Sequence, residues 1–191
     1  MRSFPNNMAE LHSPIQESYW VEPGRFLAGE YPGKFEEGLT RKRLDALIEA
    51  GFDTFIDLTN VNEMVPYENI LLEQARAHNV EAVHYRFPIG DFGLPTPARM
   101  NGILNKIEER LQAGRRIYLH CWGGIGRTGT TVGCYLVRQG KTAEQAVEQL
   151  SAWWRGVPKS QFHHRSPETQ EQVNFIHTWA EQDERLREHR K

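Results

Sequence analysis

Arg116-Ile117-Tyr118-Leu119-His120-Cys121-Trp122-Gly123-Gly124-Ile125-Gly126-Arg127-Thr128 decides how the rest of this chain is read. Arg116 to His120 has the composition of a short buried strand, and Thr128 to Arg138 runs without proline and predicts a helix. The Gly-rich turn between them joins a strand end to a helix N-terminus. Free backbone N–H groups and the helix dipole make that junction attractive to an anion.

The residue types suit attack on a phosphate ester. A helix N-terminus beside a cation favours the thiolate of Cys121 over the thiol, and a thiolate is a strong nucleophile. Gly123, Gly124 and Gly126 let the backbone curl, so that the amides of Trp122, Gly123, Gly124, Ile125, Gly126 and Arg127 converge on phosphate oxygens. Arg127 adds a planar fork for bidentate grip. Phosphoryl transfer has a loose transition state, so positioning and charge supply most of its catalysis. Thr128 can hydrogen-bond the sulfur as it leaves, and His120 can orient the loop from behind. The same stretch also spells G-x-G-x-x-G from Gly124 to Gly129, the dinucleotide fingerprint. That motif needs an acid about 20 residues on at the end of a second strand. Glu148 lies near that distance but inside Thr142–Trp154, which predicts a helix, and the dinucleotide reading leaves Cys121 and Arg127 without a role.

Outward from the loop, strand and helix patterns alternate. Tyr19–Val21 and Arg25–Ala28 are short strand-like runs around the Pro23-Gly24 turn. Thr40 is the expected cap of a helix reaching Ala50, with Leu44, Leu47 and Ile48 on one face and Gly51 as its stop. Phe52–Leu58 predicts a strand, Tyr67–His78 a helix with Ile70, Leu71 and Ala75 inward, and Val80–Phe87 another strand. Pro97 and Gly114 bracket a helix, and two more are expected over Thr142–Trp154 and from Glu168 to about Arg187. This alternation implies an α/β class: a central mostly parallel or mixed sheet flanked by helices, with the loop at a strand's C-terminal edge. Residues 1–18, polar with Pro5 and Pro14, are expected to be poorly structured, leaving one domain over residues 19–187. The charged run Glu181 to Lys191 reads as a frayed helix end.

The loop Cys-x5-Arg, with His120 before and Thr128 after, closely resembles the cysteine-dependent protein tyrosine phosphatase superfamily. The short chain is most similar to its dual-specificity branch and that branch's bacterial relatives, over roughly Tyr19 to Trp179. The resemblance implies metal-independent hydrolysis of phosphomonoesters on proteins, phosphotyrosine and also phosphoserine or phosphothreonine, through a phosphocysteine and without a cofactor. It also implies a general acid on a mobile loop. Asp91, in Phe87-Pro88-Ile89-Gly90-Asp91-Phe92-Gly93-Leu94-Pro95, has the matching placement, although the Trp-Pro-Asp form of that motif is absent; Glu63 and Glu68 are weaker substitutes. Thr169-x-x-Gln172 followed by Phe175 is similar to the glutamine loop of tyrosine-specific relatives, making Gln172 a candidate to orient the attacking water. Against this, Ser166-Pro167-Glu168 is a good helix start with Ser166 as its cap, which would leave Gln172 on the surface.

Substrate class is constrained by charge. The positions between Cys121 and Arg127 carry none, whereas phosphoinositide-directed relatives tend to place lysine there, so a phosphoprotein is favoured over a polyphosphorylated inositol. Arg86, Arg99, Lys159 and Arg165 on neighbouring loops keep an inositol-phosphate substrate open, and a phospho-residue binding module without turnover is the alternative of another class. A formal net charge of −2 with scattered basic residues gives no case for nucleic acid or an acidic membrane. The eight histidines show no metal-ligand spacing, so no metal is expected. Two cysteines, no apolar leader in Met1–Glu10 and no long apolar run make the cytoplasm the expected location, with Cys134 a core thiol. Trp153, Trp154 and Trp179 are expected in the core; Trp122 is either beneath the anion cradle or a wall of the pocket.

Overall fold

In the computed structural model, residues 12–188 are described, with side chains described as far as residue 180. The hairpin β1 (Ser18–Glu22) and β2 (Phe26–Gly29) is antiparallel. Then follow α1 (Glu37–Glu49), β3 (Thr54–Asp57), α2 (Glu68–Ala77), β4 (Val83–Arg86) and α3 (Pro97–Gln112). The decisive stretch forms β5 (Ile117–His120) and α4 (Gly126–Arg138), and α5 (Ala143–Trp154), a 3-10 turn over Pro158–Gln161 and α6 (Gln170–Glu188) complete the chain. The sheet order is β1-β2-β5-β3-β4, with β5 central and parallel to both β2 and β3.

Central placement follows from β5 having no polar face. Ile117, Tyr118 and Leu119 are wholly buried, each worth about 1.5–3 kcal/mol of apolar burial. Alternation sends Ile117 and Leu119 into the core formed with α3, α4, α5 and α6, through Ile103, Val132, Leu150 and Ile176. Tyr118 points the other way, into the core with Leu44 and Leu47 of α1 and Leu71 of α2. Helices thus cover both faces, as the alternating pattern implies, and the loop leaves the C-terminal end of the middle strand. No helix among the described residues is long and apolar enough to cross a membrane.

Boundaries moved where side chains found better partners than their own helix. The first helix begins at Glu37, upstream of its expected cap. Thr40 is instead buried within it, and its Oγ1 accepts from Lys34 N (2.8 Å) and donates to Lys34 O (3.2 Å), lashing the incoming loop to the first turn. Thr142 caps α5 as expected of its helix start, in a full capping box with Gln145. β4 is shorter than the run that predicts it, and Ile70 is only half-buried. Within the expected poorly structured segment, residues 1–11 lie outside the described residues, while Ile15 is buried against the α1–α2 core and Ser18 already opens β1. Of the charged run Glu181 to Lys191, expected to fray, residues 189–191 lie outside the described residues, and α6 reaches Glu188.

Candidate active site

The loop Cys121–Arg127 closes over a cavity of about 380 Å³. Cys121 sits at its base, 3% exposed. The helix of the loop starts two residues earlier than its sequence suggests, at Gly126, and its N-cap Ile125 offers no side-chain acceptor. That first turn is fixed from within, since Thr130 Oγ1 donates to Gly126 O (2.8 Å) and Thr131 Oγ1 to Arg127 O (3.0 Å). Gly124 has φ +75°, and a Cβ there would stand 2.5 Å from the carbonyl carbon of Gly29 on β2; no other residue fits. At Gly126 a Cβ would meet the Gln172 amide at 2.7 Å, so this glycine is what admits Gln172 to the loop.

Arg127 is held from several sides. Its Nη1 donates to Glu63 Oε2 (2.9 Å) and Ile89 O (3.0 Å); its Nη2 donates to Glu63 Oε1 (2.6 Å) and Asp91 Oδ1 (3.0 Å). The guanidinium is buried, and although burial opposes its charge, Glu63, Cys121 and Asp91 together raise its pKa further. Burial likewise works against the Glu63 carboxylate, but Arg127 and Asn60 hold its pKa below the usual range. Asp91 therefore reaches the pocket, as the family resemblance implies, while Glu63 serves as the fixed clasp of the arginine.

Behind the loop, His120 is wholly buried on the α1–α2 face of β5. Its Nε2 lies 2.7 Å from the Tyr67 hydroxyl and its Nδ1 3.4 Å from the Cys121 carbonyl. A carbonyl only accepts, so Nδ1 carries the proton and Tyr67 donates to Nε2. Burial raises the Tyr67 pKa well above its usual value and keeps it a donor. Beneath them, burial opposes the Asp57 carboxylate, but His120, His84 and two hydrogen bonds from Thr59 hold its pKa below the usual carboxylate range. Asp57, Glu68 and His84 lie close enough to hold a metal ion, yet Arg86 Nη2 bonds both carboxylates, so the trio forms an ion-pair cluster.

One measurement checks this buried imidazole. Burial pushes the His120 pKa from 6.5 down to about 4, against the pull of Asp57. Between those values the unfolded chain binds the proton and the folded chain does not, so the contribution is present above 6.5 and drains away as the pH falls toward 4. The full swing is about 3 kcal/mol. In urea titrations at pH about 7 and about 4.5, the wild type should lose most of that amount over and above what His120→Asn loses through carboxylates such as Glu63; equal losses would mean that His120 is not held neutral.

Gln172 is buried rather than on the surface. Its Oε1 accepts from the amides of Glu168 (3.0 Å) and Thr169 (3.2 Å), ahead of α6, and its Nε2 is buried with no partner, facing the loop at Gly126. Ser166 is not the cap of that helix. It donates to Ile125 O (2.8 Å) and so ties the helix start to the loop. Thr128 Oγ1 is buried without a hydrogen-bond partner. Trp122 is half-exposed and forms a wall of the cavity; Trp154 and Trp179 are in the core, and Trp153 is half-buried, stacked on Tyr19. Cys134 is buried on α4. Of the outlying cations, Lys159 lines the cavity and Arg86, Arg99 and Arg165 do not; His163 lines it too.

Fold and site together have the architecture of a cysteine-dependent phosphatase domain, and comparisons with known proteins agree. Over residues 16–183 the chain matches, and belongs to, the family described as the Swiss Army Knife protein, DSP-PTPase phosphatase domain. It is 28% identical over 139 residues to the dual specificity protein phosphatase CDC14A of Mus musculus, covering 71% of this chain but 21% of that protein, so it spans about a fifth of that relative's length. Among solved structures, Tk-PTP in its active form is 25% identical with a TM-score of 0.63, covering 86% of this chain and 97% of that one. PTPMT1 in complex with PI(5)P shares the fold at 15% identity and a TM-score of 0.65, covering 87% and 96%.

Proposed function

We propose that the protein hydrolyses phosphomonoesters on proteins through a Cys121 phosphocysteine, with residues 19–187 as its catalytic unit. The observation that carries this reading is the convergence of Cys121, Arg127, Asp91 and Gln172 on one cavity, with Arg127 clasped by Glu63. In the first step the Cys121 sulfur bonds phosphorus, the P–O bond to the alcohol or phenol breaks, and Asp91 gives its proton to the leaving oxygen. In the second, water attacks phosphorus, Asp91 takes its proton, and the P–S bond breaks to release phosphate and a thiolate. The loop amides and Arg127 bind the equatorial oxygens throughout. Thr128, with its unpartnered buried hydroxyl, is a donor for the departing sulfur, and the unpartnered Gln172 Nε2 is a donor for the water or a phosphate oxygen.

A protein substrate is supported by the uncharged loop interior and by the name of the CDC14A relatives. The inositol-phosphate reading draws on the PTPMT1 complex and on Lys159 and His163 at the cavity. It is weakened because Lys159 Nζ is already committed to Glu30 Oε2 at 2.6 Å. A binding module without turnover has no use for Asp91 at 3.0 Å from Arg127. Phosphate release should be measured in EDTA from phosphotyrosine and phosphothreonine peptides and from inositol hexakisphosphate. Peptide turnover is the expected result; turnover chiefly of the inositol phosphate would overturn the substrate reading, and turnover only after a metal is added would overturn the mechanism.

A further inference from the structure

Trp122 is a partition between two cavities. On one side lies the catalytic pocket; on the other lies a groove of about 720 Å³, walled by Tyr31, Phe35, Met64, Val65, Pro66 and Trp122. The groove is larger than the pocket, and three of its apolar walls are turned to solvent: Phe35 is 98% exposed, Trp122 55% and Val65 40%. Contiguous exposed apolar walls of this kind mark contact sites more often than chance. Tyr31 and Met64 also pack against the α1–α2 core, whereas Phe35 and Val65 stand out from it, and the catalytic steps use none of these side chains apart from the shared Trp122.

Two features identify the occupant. First, the groove adjoins the substrate site, since Trp122 lines both and Glu63, which lines the groove, clasps Arg127 of the pocket. A group attached to the phosphate ester can therefore reach it. Second, the lining is mixed. Lys34, Asn62 and Glu63 stand among the apolar walls; Lys34 is paired with Glu30 and Glu63 with Arg127, but a hydrocarbon tail laid over the three would strip their remaining contacts with water and replace them with nothing, which is costly. A peptide alternates apolar side chains with amide donors and acceptors and satisfies both kinds of wall. Charge agrees with an anionic ester at this junction. The buried Glu30 carboxylate binds Lys34 (3.1 Å), Arg43 (2.6 Å) and Lys159 (2.6 Å), so it does not stand as an unpaired negative charge against the ester.

We propose that this groove is a specificity subsite for an apolar side chain of a protein substrate, adjacent in sequence to the phosphorylated residue, with Trp122 dividing the two. The inference rests on the protein-phosphatase reading above. Burying one such side chain against these walls should favour matched substrates by about tenfold in kcat/KM, expressed through KM because the phosphate contacts are unchanged. Phosphopeptides bearing leucine or serine at each flanking position test it, with p-nitrophenyl phosphate as a substrate too small to reach the groove. The wild type should prefer leucine at one or two positions. Val65→Asp and Phe35→Ala, both at exposed positions, should erase that preference and leave p-nitrophenyl phosphate turnover unchanged. No preference at any position, or a preference that survives both substitutions, would overturn the subsite. Turnover of p-nitrophenyl phosphate and inositol hexakisphosphate without any phosphopeptide turnover would instead overturn the protein-substrate reading. A gain with alkyl chain length on phospholipids, lost in Val65→Asp, would make the groove a tail site and overturn the peptide assignment.

Discussion

Cys121→Ser should lower phosphate release from every phosphomonoester by roughly 10⁵-fold, as loss of a covalent nucleophile does elsewhere. It should nevertheless keep most of its affinity for sulfate or a phosphopeptide. The reasoning is that the anion grip and the nucleophile are carried by different groups. Grip comes from the loop amides and Arg127, which Glu63, Ile89 and Asp91 hold in place without any help from the thiol. Sulfur to oxygen is also a small change at a position that is 3% exposed, so the loop has no cause to refold. A serine hydroxyl in the same place is a far weaker nucleophile than the cysteine sulfur. Two measurements settle the matter: single-turnover acid quench, which should trap phosphoenzyme only in the wild type, and calorimetric titration of both proteins with sulfate. Retained turnover in the serine variant would remove the phosphocysteine; lost sulfate binding with a normal melting temperature would mean that the thiolate itself organises the cradle.

The sequence disclosed the parts of this site that are local and left obscure the parts that are distant. Cys121 to Thr128 is contiguous, and its glycine content dictates a tight turn, so its place between β5 and α4 is readable from composition. Asp91 is legible through its loop and the family resemblance, and the structure brings it to Arg127. Glu63 is different. It stands in an unremarkable polar turn, and only the packing of the β3–α2 loop against α4 makes it the arginine's clasp. No local pattern carries that information; a buried arginine needing a carboxylate is the physical signal, and it requires burial to be known. The same reason explains Ser166 and Thr40, where a cap composition is correct for an isolated helix but a backbone group elsewhere competes for the hydroxyl. Tyr67 was read as a helix start, and its role under His120 follows from strand alternation once β5 is known to be central.

Asp91→Asn should slow turnover of alkyl and phosphotyrosine esters by about 10²–10³-fold, and of p-nitrophenyl phosphate far less, because only poor leaving groups need a proton. The same substitution should tighten sulfate several-fold. This second effect comes from the donors of Arg127. Nη1 is spent on Glu63 and Ile89, and Nη2 on Glu63 and Asp91, while Nε has no hydrogen bond among the described residues. A phosphate dianion that grips the Nε–Nη2 edge in bidentate fashion needs the Nη2 hydrogen that Asp91 now holds. Substrate is therefore expected to displace Asp91 from the guanidinium, and in the mechanism proposed above the freed carboxyl group is then the proton donor to the ester. Ground-state occupancy by Asp91 is a competitor that the amide of asparagine imitates in shape but not in charge. Phe92, next to it, sits at φ +53° in a loop where a non-glycine residue at that angle is disfavoured, so release of Asp91 also frees a strained neighbour. Hydrogen exchange at residues 90–94 provides the readout that charge removal alone would not produce. Sulfate should speed exchange there in the wild type and have little effect in Asp91→Asn. Faster exchange with unchanged affinity would mean that the carboxylate does not compete, and an equal loss of rate on good and poor leaving groups would make Asp91 a structural residue of the loop.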